Sequence, residues 1–138
     1  MTIHLLKLCV GADSIDDLSR WQKGRLRLVG EIAHTTRMVP KRRDEVLDGG
    51  SIYWVIKGFI QVRQRLVDIR PFTDEAGIGR CDLLMDPELV AVDTVPRRPF
   101  QGWRYLKPED APADVKPGSG EAAMPAALKA ELRELGLL

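Results

Sequence analysis

The chain has little of the side-chain chemistry from which reactive and cofactor-bearing sites are built. Its only histidines are His4 and His34, and its only cysteines are Cys9 and Cys81. Neither cysteine belongs to a C-x-x-C pair, and each lies in an apolar run, LLKLCV or RCDLLM. They read as buried free thiols behaving as small apolar residues, not as a disulfide framework or a zinc site. The patterns GxSxG, HExxH, GxxxxGK[ST] and the HxE with CxxC of zinc deaminases are all missing, which removes the motif-based routes to serine hydrolysis, zinc proteolysis, P-loop phosphate binding and deamination. No cofactor or metal is expected, and an enzyme is the less favoured reading. No stretch approaches the ~20 apolar residues of a membrane span. The start, MTIHLLKLCVGAD, lacks the basic opening and long apolar run of a signal peptide, so the expected location is cytoplasmic, in a reducing compartment. Net charge is only +1, so overall charge draws no polyanion.

What is present suits one globular domain. A chain of 138 residues buries enough of its unfolded surface to hold a core without disulfides or metal. The charge is unevenly distributed: Arg20, Lys23, Arg25, Arg27, Arg37, Lys41, Arg42 and Arg43 are opposed by the single acid Glu31, whereas acids outnumber bases beyond Pro108. A nearly neutral protein can therefore carry a basic face.

Residues 3–10 read as an apolar strand closed by Gly11. Ser14, with Asp17 three residues on, opens a helix over 15–27 with Leu18, Trp21, Leu26 and Leu28 at loosely helical spacing and Arg20, Lys23 and Arg27 on the other face. EIAHTTRMV reads as a strand ended by Pro40, and KRRDEVLDGG as a short helix stopped by glycines. SIYWVIKGFI is nearly continuous apolar sequence, as in a central strand covered on both sides, with Gly58 marking a bulge or bend. In QVRQRLVDIR the polar parity slips near Leu66, which predicts a bulge that moves later side chains to the other face; before it, Gln61, Arg63 and Arg65 make a basic stripe. IGRCDLLMD and LVAVDTV complete the strands across a turn at Pro87. Residues 1–107 thus form one α+β domain, 108–124 a Pro/Gly-rich acidic linker, and 125–138 an amphipathic helix with the stripe Leu128, Leu132 and Leu135.

Three segments mix bases with aromatics. They supply Arg37, Lys41, Arg42 and Arg43; Tyr53, Lys57, Arg63 and Arg65; and Arg97, Arg98, Trp103, Arg104, Tyr105 and Lys107. Cations neutralise phosphates and aromatic faces stack on unpaired bases, so this mixture suits recognition of single strands or flipped bases. Against it, Trp54 reads as core, Trp103 and Tyr105 read equally as core edge or groove lining, and any one arginine is ordinarily a solvated side chain. The leading expectation is a nucleic-acid-binding module, for RNA or a modified base. One rival is a small-molecule or nucleotide-handling enzyme with a His34, Arg37 and Lys57 pocket. The other is an interaction or oligomerisation module working through the C-terminal leucines.

HTTRMVPKRR, GGSIYWVIKGFIQVRQR, GRCDLLMDPEL and RRPFQGWRYLKPEDAP together resemble a bacterial family of uncharacterised proteins, domain of unknown function 1489, from the first strand to about Pro112. That resemblance implies no activity or catalytic residues. The order of elements is also similar to PUA-like domains (PUA, ASCH, EVE). This likeness implies a mixed, mostly antiparallel, barrel-like sheet with flanking helices and, for many of its members, binding of RNA or modified bases.

Overall fold

The computed structural model describes residues 2–115. The expected helix at 125–138 and the remainder of the linker lie outside them. The elements are β1 (His4–Leu8), α1 (Ile15–Val29), β2 (Ile32–Thr36), α2 (Arg43–Leu47), β3 (Ser51–Ile56), β4 (Phe59–Thr73), β5 (Gly79–Met85), β6 (Val90–Pro96), β7 (Trp103–Leu106) and a 3₁₀ turn at Pro108–Asp110.

The fold is α+β with a mixed, mostly antiparallel sheet. The strand order is β2-β5-β4-β3-β1-β7, with β6 also paired to β4. Among the described residues only β1 and β3 run parallel, because α1, β2 and α2 are all spent on the crossover between them. The expected barrel does not close. Among the described residues no ladder joins β2 to β7, the two ends of the strand order; Trp103 Nε1 donates to the carbonyl of Met38, just beyond β2, at 2.7 Å.

α1 starts where its signals place it: Ser14 Oγ accepts the Asp17 N–H at 3.1 Å, and Asp17 Oδ2 accepts the Asp13 N–H at 3.1 Å. Gly30, in the left-handed conformation, ends it. Its buried face differs from expectation. Leu18 and Gln22 are the buried residues, while Trp21 and Leu28 are exposed.

SIYWVIKGFI is not one strand. Lys57 (φ 49°) and Gly58 (φ 83°) make a tight turn with two successive positive φ angles, the geometry that joins hairpin strands. The apolar run continues across it because β3 and the start of β4 are both buried. β4 carries the bulge expected near Leu66, between Leu66 and Asp68 against β5. A second, unforeseen bulge falls at Gln61, where the ladders of β4 with β3 and with β6 both shift register. Gln61 is therefore buried in the bulge, its amide donating to Ile56 O at 2.8 Å, and is not part of a basic stripe.

Two apolar clusters lie on opposite faces of the sheet. Leu5, Leu18, Ile32, Ile52, Trp54, Val62, Leu83 and Trp103 form the larger, beneath α1. Leu6, Tyr53, Val55, Ile60, Val92 and Leu106 form the smaller, on the other face. At Gly50, which joins α2 to β3, an added Cβ would lie 2.2 Å from Val46 O and 2.4 Å from Ile3 O. The glycine of DGGSIYWVI is thus required by close backbone approach.

Candidate functional site

Strand alternation builds the site. Along β1, Leu5, Lys7 and the following Cys9 face the larger cluster, as do Ile32, His34 and Thr36 along β2. The gap that the sheet leaves open lies between β2 on one side and β7, with β1 behind it, on the other. Two cavities lie there. One, of about 300 Å³, lies under the start of α1 and is lined by Cys9, Leu18, Trp21, His34, Trp54 and Met85. The other, of about 330 Å³ and more open, is lined by Lys7, Thr36, Arg37, Met38, Gln101 and Trp103. They use alternate positions of the same two strands, Cys9 with His34 and Lys7 with Thr36, so they are neighbours along one seam.

The seam is short of negative charge. Lys7 is partly buried and has no carboxylate partner among the described residues. Burial lowers its pKa. His34 is pushed down to about 4, first by burial and then by the Lys7 charge, with Asp82 opposing, so its ring is neutral at neutral pH with one donor and one acceptor nitrogen. Burial pushes the Cys9 thiol up to about 11, with Lys7 opposing. Neither group is tuned as a base or a nucleophile near pH 7, where catalysis needs pKa values drawn toward the working pH.

The cavity floor is held rigidly. Trp54 is 2% exposed, and its Nε1 donates to Gln64 Oε1 at 3.1 Å. Gln64 and Gln22, both almost fully buried, form a reciprocal amide pair: Gln22 Nε2 donates to Gln64 Oε1 at 2.9 Å, and Gln64 Nε2 to Gln22 Oε1 at 2.7 Å and to Asp86 O at 2.8 Å. α1, β3, β4 and the turn after β5 are thereby tied by one satisfied polar network. The indole is committed to that network and almost wholly covered, His34 meeting it in a T-shaped contact with ring centroids 5.5 Å apart.

The residues singled out from sequence do not form one surface. Arg37 lines the seam and Trp103 closes its end. Tyr105 makes a T-shaped contact with Trp103 at 4.8 Å and its hydroxyl accepts the Arg42 N–H at 3.0 Å. Arg42 is ion-paired with Glu45, and Arg43 with Asp68 at 2.9 Å. Lys41 is exposed beside them. On the opposite face Tyr53 is buried, Arg63 is held by both oxygens of Asp114 at 2.7 Å, and Arg65 is exposed. Arg97, Arg98 and Arg104 line a shallower hollow with Leu6 and Phe100, the Arg104 guanidinium lying 5.2 Å from the Phe100 ring. Lys57 sits in the β3–β4 turn and lines neither seam cavity, so His34, Arg37 and Lys57 share no pocket. Sequence reasoning missed Lys7, Cys9 and Trp21. The available signal was Lys7 itself, a cation of inward parity within the apolar strand HLLKL.

A family model described as a protein of unknown function, DUF1489, matches residues 5–138. The chain belongs to this family. The match runs past Pro112, where the resemblance read from the motifs stopped, to the last residue. No curated protein and no solved structure matches the chain. Among the described residues of this DUF1489 member, no helix is long and apolar enough to cross a membrane and no cluster of His, Cys, Asp or Glu is arranged to hold a metal ion.

Proposed function

We propose that this protein is a nucleic-acid-binding module that holds a single strand, of RNA or of unpaired DNA, along the open seam between β1–β7 and β2. The observation that carries this reading is Lys7: a partly buried cation with no carboxylate partner among the described residues, beside Arg37 and two indoles. Withdrawing a cation from water without a partner is costly, and an anionic ligand recovers that cost. A phosphodiester backbone supplies such anions at regular spacing next to rings that stack on tryptophan. Lys7 and Arg37 hold phosphate and Lys41 adds field at the exposed margin. Arg42, Arg43 and Arg63, already neutralised by Glu45, Asp68 and Asp114, serve the fold.

The test is binding of the purified chain to labelled single-stranded RNA, single-stranded DNA and duplexes across a salt series. Affinity should fall linearly with salt on logarithmic axes, and Lys7→Ala or Arg37→Ala should each lower the slope by roughly one. Absence of binding to every strand at low salt, or unchanged slopes in both variants, removes the reading.

A further inference from the structure

The cavity under α1 is not explained by phosphate contacts. It is lined mainly by carbon and sulfur, and its polar groups carry little available charge. Asp17, at its margin, is committed: one carboxylate oxygen takes the Asp13 N–H and the other pairs with Arg20. The Cys9 thiol stays protonated and His34 stays neutral, both chiefly because they are buried. What the cavity offers is one accessible aromatic surface, Trp21 at its mouth, above the covered indole of Trp54. Trp54 is fixed through Gln64. Trp21 is 51% exposed at the mouth, with the Arg25 guanidinium 5.4 Å from its ring. A volume of about 300 Å³ is at the small end for ligand sites, roughly 300–1,000 Å³, and suits one ring system rather than a whole nucleotide.

We infer that this cavity receives one nucleobase turned out of the bound strand, its ring packed against Trp21 and its hydrogen-bonding edge presented to His34. A neutral imidazole with one donor and one acceptor nitrogen complements the paired donors and acceptors on a base edge, whereas a charged one could only donate. The adjoining seam cavity, with Lys7 and Arg37 one alternate position along the same strands, places phosphate-binding cations next to the base. A base that is already unpaired costs least to admit. The inference rests on the single-strand reading for how the ring reaches the cavity, and it adds which contact discriminates between bases.

The experiment compares short homo-oligonucleotides of each base with an abasic strand of equal length, using the full chain, its Trp21→Ala variant and its His34→Phe variant. Trp21 is a half-exposed surface residue, so its replacement leaves folding intact. Stacking is worth about 1–3 kcal/mol per base, so the abasic strand should bind at least about fivefold more weakly than the best base. Trp21→Ala should weaken intact strands to a similar degree without changing the salt slope, and His34→Phe should flatten the ranking among bases. Equal affinity for intact and abasic strands, or intact-strand affinity unaltered in Trp21→Ala, overturns the base cavity while leaving strand binding in place. If no strand binds, free nucleosides decide the cavity alone: quenching of tryptophan fluorescence that is lost in Trp21→Ala retains it and overturns only the strand reading, and no quenching overturns both.

Discussion

The two faces of the sheet both carry arginine beside aromatic rings, but different things stand behind the cations. On the seam side, Lys7 and Arg37 adjoin an enclosed cavity whose floor is anchored by a buried amide network. On the other side, Arg97, Arg98 and Arg104 surround a shallow hollow backed by Leu6 and Phe100, and Arg63 is already paired with Asp114. An exposed cation interacts through high-dielectric solvent and is screened by salt, while a partly desolvated one acts more strongly and over a fixed geometry. Composition alone makes the faces look alike. Enclosure separates them.

The sharpest way to break the difference is to remove what holds the cavity floor. In Gln64→Leu, the Gln22 amide, the Trp54 N–H and the Asp86 carbonyl all lose a buried partner. Unmet buried groups cost about 1–3 kcal/mol each, with partial relaxation, so urea denaturation should show a loss of about 3 kcal/mol. Arg104→Ala on the opposite face should change stability by no more than about 0.5 kcal/mol. A loss below 1 kcal/mol for Gln64→Leu would mean that the network does not hold the floor.

The two histidines, one on each face, give the next largest contrast. His34 lies in the cavity, and His4 lies beside Tyr53 with its Nδ1 accepting the Ser51 N–H at 3.0 Å. Both have lowered pKa values, chiefly through burial, His34 to about 4. Between that value and the unfolded value near 6.5, the unfolded chain binds a proton that the folded chain does not. Stability therefore rises with pH across this window and is lost as pH falls through it. For His34 the change should be about 2 kcal/mol once the ring's remaining exposure is allowed for. His34→Gln should remove most of the slope of stability against pH between 4 and 6.5 and His4→Gln a smaller part; an unchanged slope in His34→Gln would show that its ring is not held neutral.

Much of the frame was legible because local rules and tertiary structure agreed. Ser14 and Asp17 mark the start of the first helix, and the parity slip near Leu66 marks a bulge, since each acts on neighbouring backbone; Gly30, a signal that sequence reasoning missed, ends the helix two residues beyond the expected 27. Legibility failed where one signal had two causes. The apolar run through Lys57 and Gly58 reads as one strand because both arms of a hairpin are buried. Gln22 and Gln64 carry no sequence signal for burial, yet each satisfies the other and can be buried at little cost. Trp21 reads as core and lies in the open. The seam itself was invisible for a topological reason: Lys7 and His34 lie on strands far apart in the sheet order, and only its incomplete closure brings them together. Clustering of arginine in sequence pointed instead to Arg42, Arg43 and Arg63, whose partners Asp68 and Asp114 are distant in the chain.

Strand binding sharpens the comparison directly. Lys7→Ala should weaken a single strand by roughly tenfold, the loss of one partly desolvated phosphate contact, worth on the order of 1.5 kcal/mol for a hydrogen bond to a charged group. Arg98→Ala and Arg104→Ala together should cost less than about threefold, because exposed cations contribute mostly screened, nonspecific attraction. Equal losses from the two faces would show that the strand wraps both and that the cavity does not select its path.

The smallest effect comes from releasing a cation on the opposite face. Arg63 is bound by Asp114 through two bonds of 2.7 Å, which lowers the carboxyl pKa chiefly by hydrogen bonding. The same segment pairs with β6 through Asp93 N–H to Ala113 O and Val115 N–H to Ala91 O. Asp114→Asn keeps the shape and removes the charge, so stability should fall by only about 0.5–1 kcal/mol, as for a partly exposed pair. Arg63 is then left as a free cation beside Arg65. If the opposite face takes part in holding a strand, affinity and salt slope both rise in this variant. If the strand follows the seam alone, the variant binds as the wild type does, and the face with more arginine is the one that contributes less.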